Sequence, residues 1–295
     1  MTAPDSPDAR NVSAEAETVG GLAAVERVAA RLGLRPTSLR VLATGWGLVI
    51  ALEPLPAVAR VCLVAADERR TVPQAVQVRL AAYAAARGAP VVSPLSDVDP
   101  GPHVEGRFVV TLWERVPAEA PDPAAAGRAL RALHETIAAY PGPLPPYDPR
   151  PSARRIAAEL PASAHETAAV LRAACVAYTP PDLPGQPLHG DAHLGNALGG
   201  GLGPLWNDFE YACHGPVEWD LASAAHRATV FGELVDETRA FLAAYGADAV
   251  HRADVMSAAF GLHAAAQTAS ALVSRPALHA QARRRLDWVR SRLAL

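Results

Sequence analysis

The sequence predicts an α+β chain in two lobes, a small sheet-bearing N-terminal lobe followed by a larger, mainly helical C-terminal one. Three observations carry this reading. Short β-like runs separated by turn signals are confined to the N-terminal third. From Asp122 onward, long alanine- and leucine-rich segments dominate, and both residue types are strong helix formers. A single long stretch without helical pattern, residues 180–216, interrupts that helical part. The chain has 295 residues, 50% hydrophobic and 19% charged, a composition able to bury a sizeable core.

Taken in order, residues 1–17 are polar and read as a flexible tail. Residues 18–33 run amphipathically, with Leu22, Val25, Val28, Ala29 and Leu32 at helical spacing. Strands are expected over 38–43, 47–52 and 57–64, with turns at Thr44-Gly45 and Glu53-Pro54. A helix over 72–87 should stop at Gly88. Two more strands are expected near 91–95 and 107–113. The N-terminal lobe then covers 18–112, a linker 113–121, and the helical lobe 122–295. Helices are expected over 122–140, 152–177, 217–231, 233–245, 249–272 and 276–294, with Pro161 breaking the second.

Bulk properties narrow the function. The net charge of −3 gives no basic excess, so nucleic acid is not an expected partner. No apolar run of 18 or more residues marks a membrane span. The N-terminus lacks the basic and apolar regions of a signal peptide. Cys62, Cys175 and Cys213 are widely spaced, with no CxxC pair. They read as reduced thiols, and the expected location is cytoplasmic. All 27 basic residues are arginine. A Walker A loop and a Schiff-base lysine are thereby excluded, and any phosphate contact from a cationic side chain falls to arginine.

The chemistry-bearing segment is His189-Gly190-Asp191-Ala192-His193-Leu194-Gly195-Asn196, followed by Trp206-Asn207-Asp208-Phe209-Glu210. Phosphoryl transfer needs a carboxylate to orient a hydroxyl and take its proton, and oxygen ligands for a metal that neutralises phosphate charge. Magnesium favours carboxylate and amide oxygens. Asp191, Asn196 and Asp208 supply these groups, and the H-x-D-x-x-x-x-N spacing with a later Asp-Phe is that of a kinase catalytic loop.

HGDAHLGN followed by NDFEYACHGPVEWDLA resembles the aminoglycoside phosphotransferase family of kinase-like enzymes. Trp113-Glu114 is similar to the family's inter-lobe linker, and Leu133-His134 to a pair on the helix that follows it. The resemblance implies a two-lobed, protein-kinase-like fold. It also implies a transferase that moves the γ-phosphoryl group of ATP or GTP to a hydroxyl of a small molecule. Asp191 would then be the base, with Mg2+ held by Asn196 and Asp208. Asp220 would be structural. Nucleotide contacts would come from Gly45 and Gly47 of the Thr44-Gly45-Trp46-Gly47 loop, from Arg60 in the place of a strand lysine, and from Gln77, Trp113 and Glu114. Gln77 stands where a glutamate is common, and a neutral amide can hydrogen-bond Arg60 but cannot form an ion pair with it.

Two rival readings stand beside this one. Arg60 and Gln77 together suit a non-catalytic, kinase-like nucleotide-binding module. His189, Asp191 and His193 form H-x-D-x-H, which suits a metal-dependent hydrolase. A cationic acceptor would need an acidic surface, for which Glu210, Glu218, Asp236 and Glu237 are candidates. The Arg283-Arg284-Arg285 run reads as a solvated face or, alternatively, as a contact for an acidic partner, and lends no support to such a cationic acceptor.

Overall fold

The computed structural model describes residues 7–45, 47–63, 68–201, 203–271 and 278–295. Trp46, Val64, Leu272, Pro276 and Ala277, which fall within expected elements, lie outside the described residues. The chain divides into two compact units, Met1–Glu119 and Ala120–Leu295.

The first unit is built on one antiparallel sheet. Its strands are β1 (Ser38–Thr44), β2 (Gly47–Glu53), β3 (Ala57–Cys62), β4 (His103–Glu105) and β5 (Phe108–Glu114), in the order β1-β2-β3-β5-β4. Helix α1 (Pro7–Arg31) turns Ala24, Val25, Val28 and Ala29 onto Leu48, Ile50 and Leu52 of β2, Ala59 and Val61 of β3, and Val110 and Leu112 of β5. It begins well before residue 18, within the segment expected to be a tail. Pro7 suits a first-turn position, and the run from Ala14 to Glu17 is rich in helix formers. Along β3, burial alternates, with Ala57, Ala59 and Val61 on the α1 side and Arg60 on the other face. Helix α2 (Glu68–Ala85) packs against β5.

The strand expected over 91–95 is reduced to isolated bridges at Val91 and Pro94, the latter to Trp113. Leu95 N–H and Glu114 N–H still tie the segment to β5, through Leu112 O and Ser93 O. Pro94 has no N–H to give, so a regular ladder does not propagate. Trp113 is also not a linker residue. It lies inside β5, 3% exposed, with its Nε1–H on Thr111 Oγ1 at 2.9 Å. Glu114 ends the strand and is exposed.

The second unit carries α3 (Pro123–Ile137), α4 (Pro149–Glu159), α5 (His165–Ala177), α6 (Glu218–Phe231), α7 (Val235–Tyr245), α8 (Ala249–Val255), α9 (Ser257–Ser270) and α10 (His279–Arg292). Two helices open on the same device, an Asp N-cap followed by Pro. Asp122 accepts from Ala125 N–H and Asp148 from Arg150 N–H. Pro161 separates α4 from α5 through a 3-10 turn, Ala162–Ala164. The single helix expected over 249–272 is broken instead. Met256 sits at φ −100°, ψ 4° between α8 and α9, its side chain fully buried beside Tyr178, Leu188 and Trp219. The tertiary pocket for that side chain overrides local propensity. Alanines Ala153, Ala157, Ala265, Ala266 and Ala269 let α4, α9 and α10 share one close-packed core with Ile156, Leu171 and Leu262. Among the described residues no helix is long and apolar enough to cross a membrane, and Cys62, Cys175 and Cys213 form no disulfide.

Between α5 and α6 run short strands: β6 (Gln186–Leu188), β7 (Ala197–Leu198), β8 (Leu205–Trp206) and β9 (Cys213–Gly215). β6 pairs with β9 and β7 with β8, both antiparallel. The chemistry-bearing residues are mounted on this small framework.

Candidate active site

The loop leaving β6 is held by a carboxylate beneath it. Asp220, in the first turn of α6, is fully buried. Its Oδ2 accepts from His189 N–H and from His134 Nε2, both at 2.9 Å, and its Oδ1 accepts from Gly190 N–H at 2.8 Å. With Nε2–H given to Asp220, His134 Nδ1 accepts from the Tyr245 hydroxyl at 2.9 Å. Trp219 adds a fourth tie, its Nε1–H donating to Gly190 O at 2.8 Å. A buried charge is tolerated because its oxygens are satisfied in this way.

Gly190 has φ +90°, and a Cβ there would lie 1.8 Å from Tyr211 O. No other residue type fits this approach of loop to backbone. His189 is fully buried against Trp206 and Phe209, with ring centroids 5.3 and 4.4 Å away. Its Nε2–H donates to Asn207 O at 2.8 Å, and its Nδ1 accepts from Asp191 N–H at 3.3 Å. Burial lowers its pKa, outweighing the nearby carboxylates. This is a neutral ring with both nitrogens occupied.

Asp191 is thereby presented with its side chain 24% exposed. Ser223 Oγ donates to its Oδ1 at 3.2 Å, and His193 Nε2 lies 3.6 Å from its Oδ2. Burial alone would raise the Asp191 pKa. The facing His193 outweighs burial and holds the carboxyl well below its usual range. Reciprocally, Asp191 outweighs burial at His193 and raises its pKa, while Gly195 N–H on Nδ1 favours the neutral ring.

Asn196 follows within the same turn. Its Nδ2 donates to Asp191 O at 2.9 Å and approaches Oδ2 at 3.4 Å, which leaves its Oδ1 as the outward acceptor. The β7–β8 hairpin, in register Ala197 to Trp206, brings Asn196 and Asp208 to one end. Asn207 fastens that end, its N–H and Nδ2 both donating to Asn196 O at 2.9 Å. Asp208 has φ +68°, ψ 58°, a left-handed conformation that Asp tolerates better than most side chains. One carboxylate and one amide oxygen at the hairpin end, beside a second carboxylate, form a hard-oxygen donor set suited to magnesium. Among the described residues, no group of three or more His, Cys, Asp and Glu side chains could hold a metal. The H-x-D-x-H reading also loses His189, whose ring nitrogens are both engaged.

In the first unit, Gly45 N–H donates to Gly47 O at 3.0 Å across the β1–β2 turn. A Cβ at Gly47 would lie 2.5 Å from Val61 O, so the close passage of β2 over β3 requires glycine. Arg60 is half-buried and pairs in register with Val49 and Thr111. The expected hydrogen bond from Gln77 to Arg60 is not the one the helix makes. Gln77 is 1% exposed, its Nε2 donates to Gln74 one turn back, and its Oε1 is buried with no hydrogen-bond partner among the described residues.

Sequence reasoning identified the loop but passed over Ser223 and the Tyr245 hydroxyl, which no local motif marks. It noted Leu133-His134 only by resemblance. Their roles come from α6, α7 and α3 converging on the loop.

The family model of the phosphotransferase enzyme family matches residues 51–256, well over half of the chain. The chain belongs to this family. It is a phosphotransferase of the class that acts on hydroxyl groups, with the kinase-like α+β fold. No curated protein sequence matches it. Among solved structures, a choline/ethanolamine kinase family protein from Mesorhizobium loti is 19% identical, with TM-score 0.59, covering 92% of this chain and 95% of that one. Amicoumacin kinase hAmiN, in complex with AMP-PNP, Ca2+ and Ami, is 13% identical, with TM-score 0.65, covering 89% and 92%. An aminoglycoside phosphotransferase APH(4)-Ia, in a ternary complex with ADP and hygromycin B, is 14% identical, with TM-score 0.62, covering 90% and 97%.

Proposed function

We propose that this chain is a small-molecule kinase that transfers the γ-phosphoryl group of ATP or GTP to a substrate hydroxyl, with Asp191 as base. The observation that carries the reading is the position of Asp191. It is ionised, partly open, and fixed by Ser223, His193 and Asn196 next to the Asn196–Asp208 end of the hairpin. In the transfer, the acceptor oxygen forms a bond to the γ-phosphorus as the bond from phosphorus to the β–γ bridging oxygen breaks. Asp191 orients the acceptor hydroxyl and takes its proton. A carboxylate of such low basicity acts chiefly by orientation, accepting the proton late.

Asn196 and Asp208 would hold a magnesium ion through oxygen, and that ion would supply positive charge against the phosphates. Arg60, Gly45 and Gly47 would meet the nucleotide phosphates. Trp113 is less apt than Glu114 as a nucleotide contact, because its indole N–H is already given to Thr111. Nucleotides accompany two of the structural neighbours, AMP-PNP with hAmiN and ADP with APH(4)-Ia, which supports a nucleotide donor here.

A second reading, a nucleotide-binding module without turnover, draws on Gln77, whose amide is turned to Gln74. The two readings are separated by incubating the full chain with γ-labelled ATP or GTP, magnesium and a panel of hydroxyl metabolites and antibiotics. Label transfer to an acceptor supports the kinase. Magnesium-dependent nucleotide binding with no transfer to any acceptor would support the module instead.

A further inference from the structure

One cation near the proposed base has no anion of its own. Of the Arg283-Arg284-Arg285 run on α10, Arg283 and Arg284 are exposed, but Arg285 is half-buried and turned inward. Its Nε–H donates to His226 Nε2 at 3.2 Å, its Nη1 lies against Thr268 Oγ1 of α9, and its guanidinium carbon stands 5.5 Å from the Phe231 ring centroid. Among the described residues no carboxylate lies within 4.0 Å of Arg285, and none accepts from its Nη2. Two nearby arginines are paired with carboxylates, Arg252 with Glu218 at 2.8 Å and Arg227 with Glu233 at 2.5 Å. Desolvating a guanidinium is costly unless an anion compensates it. Burial does lower the Arg285 pKa, with Asp191 as the opposing influence.

The location connects this cation to the loop. Ser223 and His226 are three residues apart on α6, so their side chains are neighbours on one face, with Cβ atoms on the order of 5–6 Å apart. Ser223 holds Asp191, and His226 holds Arg285. On the α9 side, His263 packs edge-on to Trp219 at 5.5 Å and to Tyr211 at 5.1 Å. Trp219 in turn holds Gly190 O. Arg285, held by His226 Nε2 and Thr268 Oγ1 as acceptors beside two neutral imidazoles, thus places a single guanidinium about one α6 turn from the Ser223 that holds the proposed base. Two of the four acidic candidates are already engaged elsewhere. Glu218 is paired with Arg252, and Asp236 with Arg239 at 2.6 Å.

We infer that the acceptor taken beside Asp191 is an anionic hydroxyl compound, one bearing a carboxylate or similar oxyanion, and that the guanidinium of Arg285 receives that oxyanion. The inference rests on the kinase reading for the word acceptor, but the anion site itself stands or falls separately. The planar fork of Arg285 suits a carboxylate, with His226 and Thr268 fixing its orientation. A polycationic acceptor would meet this guanidinium with like charge.

The test has two arms on the full chain. In the first, glycerate, L-lactate and glycerol 3-phosphate, with glycerol and kanamycin as neutral and cationic controls, are titrated calorimetrically into wild type, Arg285→Gln and Arg285→Lys. Binding of at least one anionic compound that falls thirtyfold or more in Arg285→Gln, with partial recovery in Arg285→Lys, supports the site. Melting curves confirm that the variants are folded. Failure of all three anionic compounds to bind, or binding indifferent to Arg285→Gln, overturns it. Comparing carboxylates with the phosphate compound identifies the preferred oxyanion.

In the second arm, γ-labelled ATP and magnesium are added with the same compounds. A thirtyfold rise in acceptor KM in Arg285→Gln, with the KM for ATP within threefold of wild type, supports the assignment. A rise in the KM for ATP instead, or transfer confined to glycerol and kanamycin, overturns it. Arg285-dependent binding without transfer to any compound would sink the kinase reading while leaving the anion site intact.

Discussion

At the scale of single residues, the loop makes each atom do one job. His189 has both ring nitrogens engaged, Gly190 supplies a backbone no other residue allows, and Asp191 is left facing outward. Replacing Asp191 with Asn keeps the shape and removes the base. Transfer should fall on the order of 10²–10⁴-fold in a chain that still folds, read by steady-state kinetics beside circular dichroism. Transfer at the wild-type rate would remove Asp191 from the chemistry. Asp208→Ala removes the charged partner of Asn196 at the hairpin end and should raise the magnesium concentration needed for half-maximal activity at least tenfold, an order-of-magnitude expectation. An unchanged magnesium titration would show that Asp208 holds no metal.

At the scale of elements, α6 is the beam on which the loop rests. Its first turn gives Asp220 and Trp219 to the loop backbone, its next turn gives Ser223 to Asp191, and the turn after that gives His226 to Arg285. Asp220→Ala would leave two backbone N–H groups and His134 without their acceptor in the core. It should cost about 3–5 kcal/mol, the usual cost of stripping one partner from a buried charged network. Urea denaturation measures it. A loss under about 1 kcal/mol would mean that solvent reaches the network and that α6 is not its anchor. Much at this scale was legible in the sequence. Asp122-Pro123 and Asp148-Pro149 announce two helix starts, Pro161 a break, and the β-like runs three strands within a residue or two. The missing strand near Pro94 and the break at Met256 were not legible. The first depends on which backbone groups the neighbouring strand offers, and the second on a pocket assembled from Tyr178, Leu188 and Trp219.

At the scale of the whole molecule, acid stability should depend on histidines buried in the neutral form. Burial pushes the pKa of His226 down to about 3 and that of His263 to about 4, from an ordinary 6.5. As pH falls through 6.5, the unfolded chain binds protons that the folded chain refuses, so stability falls. The slope is at most about 1.4 kcal/mol per pH unit for each histidine. Asp191 acts in the same sense at lower pH, its contribution present above the unfolded carboxyl pKa and lost as pH falls below it, whereas His193, whose pKa is raised, acts in the opposite sense. The urea midpoint should therefore drop between pH 7 and pH 5. A midpoint independent of pH over that interval would show that these rings are hydrated in the folded state.

The sequence by itself determined the reaction class, because phosphoryl transfer demands a few oxygen groups at fixed spacing and HGDAHLGN with NDFE carries that spacing within one continuous segment. It also determined which helices begin where, because caps and prolines act over a single turn. Only the tertiary structure decided what surrounds the base. Ser223 and His226, His263 and Thr268, and Arg285 lie on three separate helices, and their charges and hydrogen bonds acquire meaning only when α6, α9 and α10 bring them together. Arg283 and Arg285 read alike in sequence. The helical rotation between them leaves one in water and turns the other inward onto His226 and Thr268.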